Sequence, residues 1–110
     1  MDVVDLTNLR EAIDGDKELE QELFDEFISS SKVLIIALEQ HCAGNSDNEA
    51  WRKAAHALKG ISVNLGADHL GTLSKDAQEG FEAASPEKNT WLSQIKAEHE
   101  KVLQFLSEQT

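Results

Sequence analysis

The chain reads as an all-α protein, an antiparallel up-down-up-down four-helix bundle with a short extra helix at its N-terminus. Three observations predict this. Apolar residues recur at spacings of three and four along nearly the whole length. No stretch alternates β-branched with polar residues, and tyrosine is absent. The only proline, Pro86, falls at a helix boundary rather than inside a helix.

The first, short helix is expected over about Thr7 to Ile13, stopping near Asp14-Gly15. A long helix follows from about Asp16 to Gln40. Its apolar stripe is Leu23, Phe24, Phe27, Ile28, Ser31, Leu34, Ile35 and Leu38, and Ala43-Gly44-Asn45 should end it. Ser46-Asp47-Asn48-Glu49 matches a capping box opening a third helix that runs to Leu65. That helix should bury Trp51, Ala54, Ala55, Leu58, Ser62 and Leu65, with Gly66 as a left-handed cap. The fourth carries Leu70, Leu73, Ala77, Gly80, Phe81 and Ala84 on one side. Ser85-Pro86-Glu87 starts the last helix, with Ser85 as N-cap and Pro86 at the first helical position. It should bury Trp91, Leu92, Ile95, Val102, Phe105 and Leu106. Amphipathic helices joined by short loops favour a bundle of antiparallel neighbours.

With 110 residues there is room for one domain, 1–110, around a single core. The formal net charge of -11 argues against nonspecific binding to nucleic acid or anionic membrane. The longest apolar run, Val33 to Leu38, is far short of a membrane span. The acidic N-terminus lacks the pattern of a signal peptide, and the single Cys42 cannot form an internal disulfide. Both features predict a cytoplasmic protein. Cys42 reads as a small buried hydrophobe. A monomer is expected, because one bundle consumes every apolar stripe.

The third helix carries the chemistry. On a helix, the surface neighbours of His56 lie three and four positions away. They are Arg52, Lys53, Lys59 and Gly60: three cations and a missing side chain. At 100° per residue, His56 and Gly60 fall well over a quarter-turn from the apolar centre, with Lys53, while Arg52 and Lys59 lie nearer the flanks. His56 is therefore expected to face solvent. Glycine inside a helix costs about 1 kcal/mol relative to alanine. Core packing between helices explains Gly80 but not Gly60, which points outward. A gap beside an exposed imidazole makes sense if another protein must come close to it, with Ala57 and Val63 completing that docking face. A neutral imidazole offers a lone pair for nucleophilic attack. The cations stabilise an added phosphoryl group.

His56-Ala57-Leu58-Lys59-Gly60, with Ser62, Asn64, Leu65 and Gly66, resembles the histidine-containing phosphotransfer (HPt) signature, H-x-L-K-G-x-S-x-x-x-G. Leu9 to Ile13, Gly15-Asp16, Leu19, Leu23 and Phe27 follow that family's N-terminal pattern, and Leu70 and Leu73 its next helix. The resemblance thus covers nearly the whole chain. It implies that His56 accepts a phosphoryl group from an aspartyl phosphate on a response-regulator receiver domain and passes it to another receiver. It implies that Lys59 steadies the phosphate and that Gly60 leaves room for the partner; Arg52 and Lys53, from their places around His56, are expected to help stabilise the phosphate. A hybrid sensor histidine kinase is an implied partner. Ile61 departs from the family, which often has a small polar residue there; a variation in core packing is expected, or an effect on partner choice if it is exposed beside the docking surface.

No Mg²⁺ site built around His56, no phosphate-cradling loop and no nucleotide motif is legible. The implied phosphocarrier therefore has no cofactor of its own and is not an enzyme with its own nucleotide or metal site; the partner receiver brings Mg²⁺. Arg52, Lys53 and Lys59 are the only charged residues between Ala50 and Gly66, whereas ten acids and two bases lie between Met1 and Ser30. Such a basic patch matches an acidic receiver pocket. His41, His69 and His99 lack comparable neighbours. No two histidines are spaced for zinc, and Ser62, expected in the core, is no hydrolytic nucleophile. The alternative is an HPt-like interaction module that binds a partner through the same helix face without carrying phosphate. Such a module would not need His56, Lys59 and Gly60 together.

Overall fold

A computed structural model of the chain describes residues 3–42 and 47–109. Among these the structure is helical throughout: α1 (Thr7–Ala12), α2 (Lys17–Gln40), α3 (Asn48–Leu65), α4 (Asp68–Glu79) and α5 (Ser85–Ser107). Helices α2 to α5 each pack on the next in chain order, and α2 closes the ring against α5. Cross-helix pairs run in opposite directions. Ser31 meets His99 and Glu39 meets Lys96 across α2 and α5; Gly71 meets Val63 and Gln78 meets His56 across α3 and α4. The bundle is antiparallel, as the periodicity predicts.

Helix starts are set by short-range chemistry. Asp16, extended at φ -67° and ψ 107°, caps α2 by accepting a hydrogen bond from the Leu19 N–H at 3.0 Å. At α3 the cap is Asp47, whose Oδ1 accepts from the N–H groups of Glu49 (3.0 Å) and Ala50 (3.2 Å). The cap lies one residue later than the capping box places it. Ser46 and the expected Ala43-Gly44-Asn45 stop lie outside the described residues. The start of α5 also differs. Ala84 is the extended N-cap, and Ser85 is already helical, so its hydroxyl cannot turn back to cap and is buried without a partner among the described residues.

The core holds Trp51, Phe24, Leu38, Leu58, Leu70, Ile95, Val102 and Leu106, all essentially inaccessible. The buried face of α3 is the predicted one, residue for residue. Trp51 also donates from Nε1 to the Ala77 carbonyl at 2.8 Å, joining α3 to α4. Two features of the apolar pattern need correction. First, α4 stops at Glu79, so Gly80, Phe81 and Ala84 lie in the α4–α5 connection. A Cβ on Gly80 would come within 2.0 Å of the Trp91 ring, so the indole takes that place and the chain turns there. Second, α5 buries polar residues that periodicity does not reveal: Lys88, Glu98 and His99. Lys88 Nζ lies 2.5 Å from Asn48 Oδ1 and over the Trp51 ring at 5.4 Å.

The N-terminal segment and α1 cap the end of the bundle where α2 begins and α3 and α5 end. Val4 and Leu6 are buried in the core. The Asp5 N–H donates to the Gly66 carbonyl at 2.9 Å. Gly66 sits at φ 99°, and a Cβ there would fall 1.9 Å from the Asp5 carbonyl oxygen. This position needs glycine for its left-handed backbone and for the close approach of a second strand of chain. Arg10 ties the cap down, with Nε 2.6 Å from Glu20 Oε1 and one Nη 3.2 Å from Gln109.

Cys42 is buried, its thiol 3.0 Å from Asn89 Oδ1, and burial pushes its pKa up, away from thiolate chemistry. Among the described residues no helix is long and apolar enough to cross a membrane.

Candidate functional site

Helix α3 presents one edge to α4, one to α2 and α1, and an outer ridge to solvent. His56 is on the outer ridge and exposed, as the helical wheel predicts. Its Nδ1 lies 3.3 Å from Oε1 of Gln78 on α4. A carbonyl oxygen only accepts, so this bond requires the proton on Nδ1. That tautomer leaves the Nε2 lone pair as the free nucleophilic atom. Gln78 is absent from the sequence-based site, because it lies 22 residues away on another helix and no local spacing points to it.

The expected cations divide. Lys53 is exposed and Lys59 half-buried, and neither forms an ion pair among the described residues. Arg52 is engaged: Glu49, one turn earlier, takes its guanidinium in a close ion pair, with Nε 3.0 Å from Oε1. That hydrogen bond holds the Glu49 carboxyl below its usual range and raises Arg52. Glu49 precedes the acid-free run from Ala50 to Gly66, so counting charges inside the run overlooks it.

Gly60 is exposed, and a Cβ there would meet nothing within 4 Å. No neighbour among the described residues requires a glycine at this place. Ala57 is exposed beside it. Val63 is 51% exposed, and its Cγ2 would stand 2.9 Å from a Cβ on Gly71 of α4. Gly71 is buried, so here the two helices approach closely and Val63 lies over the crossing.

On the other edge of α3 lies an apolar groove of about 450 Å³, where Ile61 and Leu65 face Leu23 and Phe27 of α2 and Leu9 and Ile13 around α1. Ile61 is half-buried against the core and also lines this groove, so it serves packing and surface alike. By helical geometry Gly60 lies between His56 and the groove. Ser62 is fully buried, and its hydroxyl has no partner among the described residues. The remaining histidines lie elsewhere: His41 at the end of α2, His69 exposed on α4, and His99 buried against Ser31 and Phe27. Among the described residues no group of three or more His, Cys, Asp or Glu could hold a metal ion.

This arrangement offers an exposed imidazole paired through Nδ1 with Gln78, cations along its own helix and open space toward an apolar groove. A family model described as the Hpt domain matches residues 22–105, and the chain belongs to the Hpt domain family. Hpt domains are phosphocarriers of two-component phosphorelays, where they interact with response-regulator receiver domains and kinases. No curated protein matches the chain, and no solved structure does.

Proposed function

We propose that this chain, as an Hpt domain, is the phosphohistidine intermediate of a phosphorelay and that His56 is the acceptor. One observation carries the reading: an exposed imidazole held through Nδ1 by Gln78, beside a helix glycine where an added Cβ would meet, beyond its own helix backbone, nothing within 4 Å among the described residues. Nε2 attacks the phosphorus of a receiver's aspartyl phosphate. The P–Nε2 bond forms as the acyl O–P bond breaks, and the carboxylate leaves with the bonding electron pair. The Nδ1 proton stays on the ring, so the product is a phosphoimidazolium whose N–H donates to Gln78. The reverse sequence delivers phosphate to a second receiver.

Lys59 lies one turn from His56 and is free to meet the phosphoryl oxygens. Lys53 adds positive potential, and Arg52 must first loosen its grip on Glu49, an exposed pair that holds it weakly. Alignment and the remaining charge neutralisation come from the partner, whose receiver domain supplies the aspartate and Mg²⁺. Gly60, Ala57 and Val63 form the surface over which that receiver seats, and the groove beside Ile61 gives it an apolar anchor. A hybrid sensor histidine kinase fits as the upstream source. The domain acts as a cytoplasmic monomer.

The test is phosphate transfer from a phosphorylated receiver with Mg²⁺. The label on this chain should be acid-labile and base-stable, and His56→Gln should abolish it. Full labelling of His56→Gln would refute the assignment of His56. Binding of receivers without any label on the wild type would favour a phosphate-free interaction module. Lys59→Ala should slow transfer or shorten the phosphohistidine lifetime.

A further inference from the structure

We propose that Lys75 of α4 is a second phosphate-binding lysine, facing Lys59 across the α3–α4 seam and closing on the phosphoryl group carried by His56. The proposal rests on the phosphocarrier reading above. It is drawn from the register of two helices. Gly71 lies against Val63, and Gln78 bonds to His56. Seven residues separate 71 from 78, and seven separate 63 from 56, running the opposite way. Positions 71, 75 and 78 follow the three-four spacing of one helix face. Lys75 therefore falls between these contacts, on the α4 edge turned toward α3, and the same register sets it opposite Lys59. It lies one turn from Gln78, about 4.5 Å along the axis, within the range of a flexible four-carbon stem.

Lys75 is available. Its side chain is 59% exposed, and Nζ stands 3.9 Å from Glu79 Oε1. An exposed pair of this kind, with the lysine N-terminal to the acid, holds only weakly. A phosphoryl group carries about -1.5 to -2 charge with three acceptor oxygens and outcompetes one carboxylate. The phosphate would then be held from two helices, by Lys59 on α3 and Lys75 on α4, while Gln78 holds the far side of the ring.

Phosphoramidate tests this without a partner protein. Its P–N bond breaks as P–Nε2 forms, and ammonia leaves. Lys75→Gln keeps a good helix former at an exposed site, so the fold should survive, as far-UV circular dichroism will show. Labelling of Lys75→Gln at low salt should be about two- to five-fold slower than wild type, and the difference should shrink at 1 M salt. In the wild type, phosphorylation should displace the Lys75 side-chain ammonium NMR signal and leave that of Lys96 in place. Equal rates at low salt, or an unmoved Lys75 signal on a labelled protein, overturn the role of Lys75 alone. A wild type that never labels at His56 overturns the phosphocarrier reading as well, so the two failures are distinguishable.

Discussion

Gly60→Ala is the substitution that separates function from folding most cleanly. Gly60 occupies the interior of α3, and an added methyl group would meet nothing within 4 Å. Alanine lowers the conformational entropy of the unfolded chain and suits the helix, gaining about 0.5–1 kcal/mol. No lost contact offsets that gain. For a domain of this size the melting temperature should rise by about 2–6 °C. Urea denaturation should move to a higher midpoint with unchanged slope. Gly60→Gln should also stabilise, by somewhat less, because glutamine remains a better helix former than glycine. Transfer should respond differently. The glutamine side chain obstructs the path from the groove to His56, so transfer from a phosphorylated receiver should fall, whereas labelling by small phosphoramidate should persist. Loss of stability in Gly60→Ala would mean that the glycine answers an intrachain need, which would refute the reasoning. Undiminished receiver transfer by Gly60→Gln would remove Gly60 from the docking surface.

Three further outcomes follow from the same geometry. Gly66→Ala should behave oppositely to Gly60→Ala, costing about 3–5 kcal/mol in urea denaturation; left-handed strain, the lost Asp5–Gly66 bond and loosening of Val4 or Leu6 all contribute. Gln78→Ala should leave helicity unchanged but slow phosphate uptake about five-fold, about 1 kcal/mol, by releasing the Nδ1 bond that fixes the tautomer. Burial, aided by Lys32 and opposed by Glu100, lowers the pKa of His99 below the ordinary 6.5. Between the lowered folded value and 6.5 the unfolded state binds the extra proton, so stability rises with pH across that window. The His99 contribution is complete above 6.5 and lost as pH falls through the folded value. An NMR titration placing His99 at or above 6.5 would contradict this.

Periodicity alone determined much of this protein. The buried face of α3, the outward aspect of His56 and the outward aspect of Gly60 are legible in sequence, because a helix fixes relative side-chain direction within a few residues. The left-handed turn at Gly66 is equally legible from local backbone energies, although the close approach of Asp5 to it is not. The element ends are less so: Asp47 rather than Ser46 caps α3, and α4 stops at Glu79, because neighbouring caps differ by little energy and Trp91 decides the second case. Ser31 and His99, each unremarkable in its own helix, become a buried pair at 2.8 Å only when α2 and α5 meet.

The sequence by itself therefore set the fold class, the Hpt signature and the face on which His56 stands. Tertiary structure alone decided what meets that face. Gln78 reaches the imidazole, Asp5 crosses Gly66, and Gly71 of α4 lies against Val63 of α3. The physical reason is one of scale. Local backbone geometry orients a side chain on its own helix, but the register between helices depends on how two surfaces interlock, and Gly71 admits the Val63 side chain at only one place along the seam.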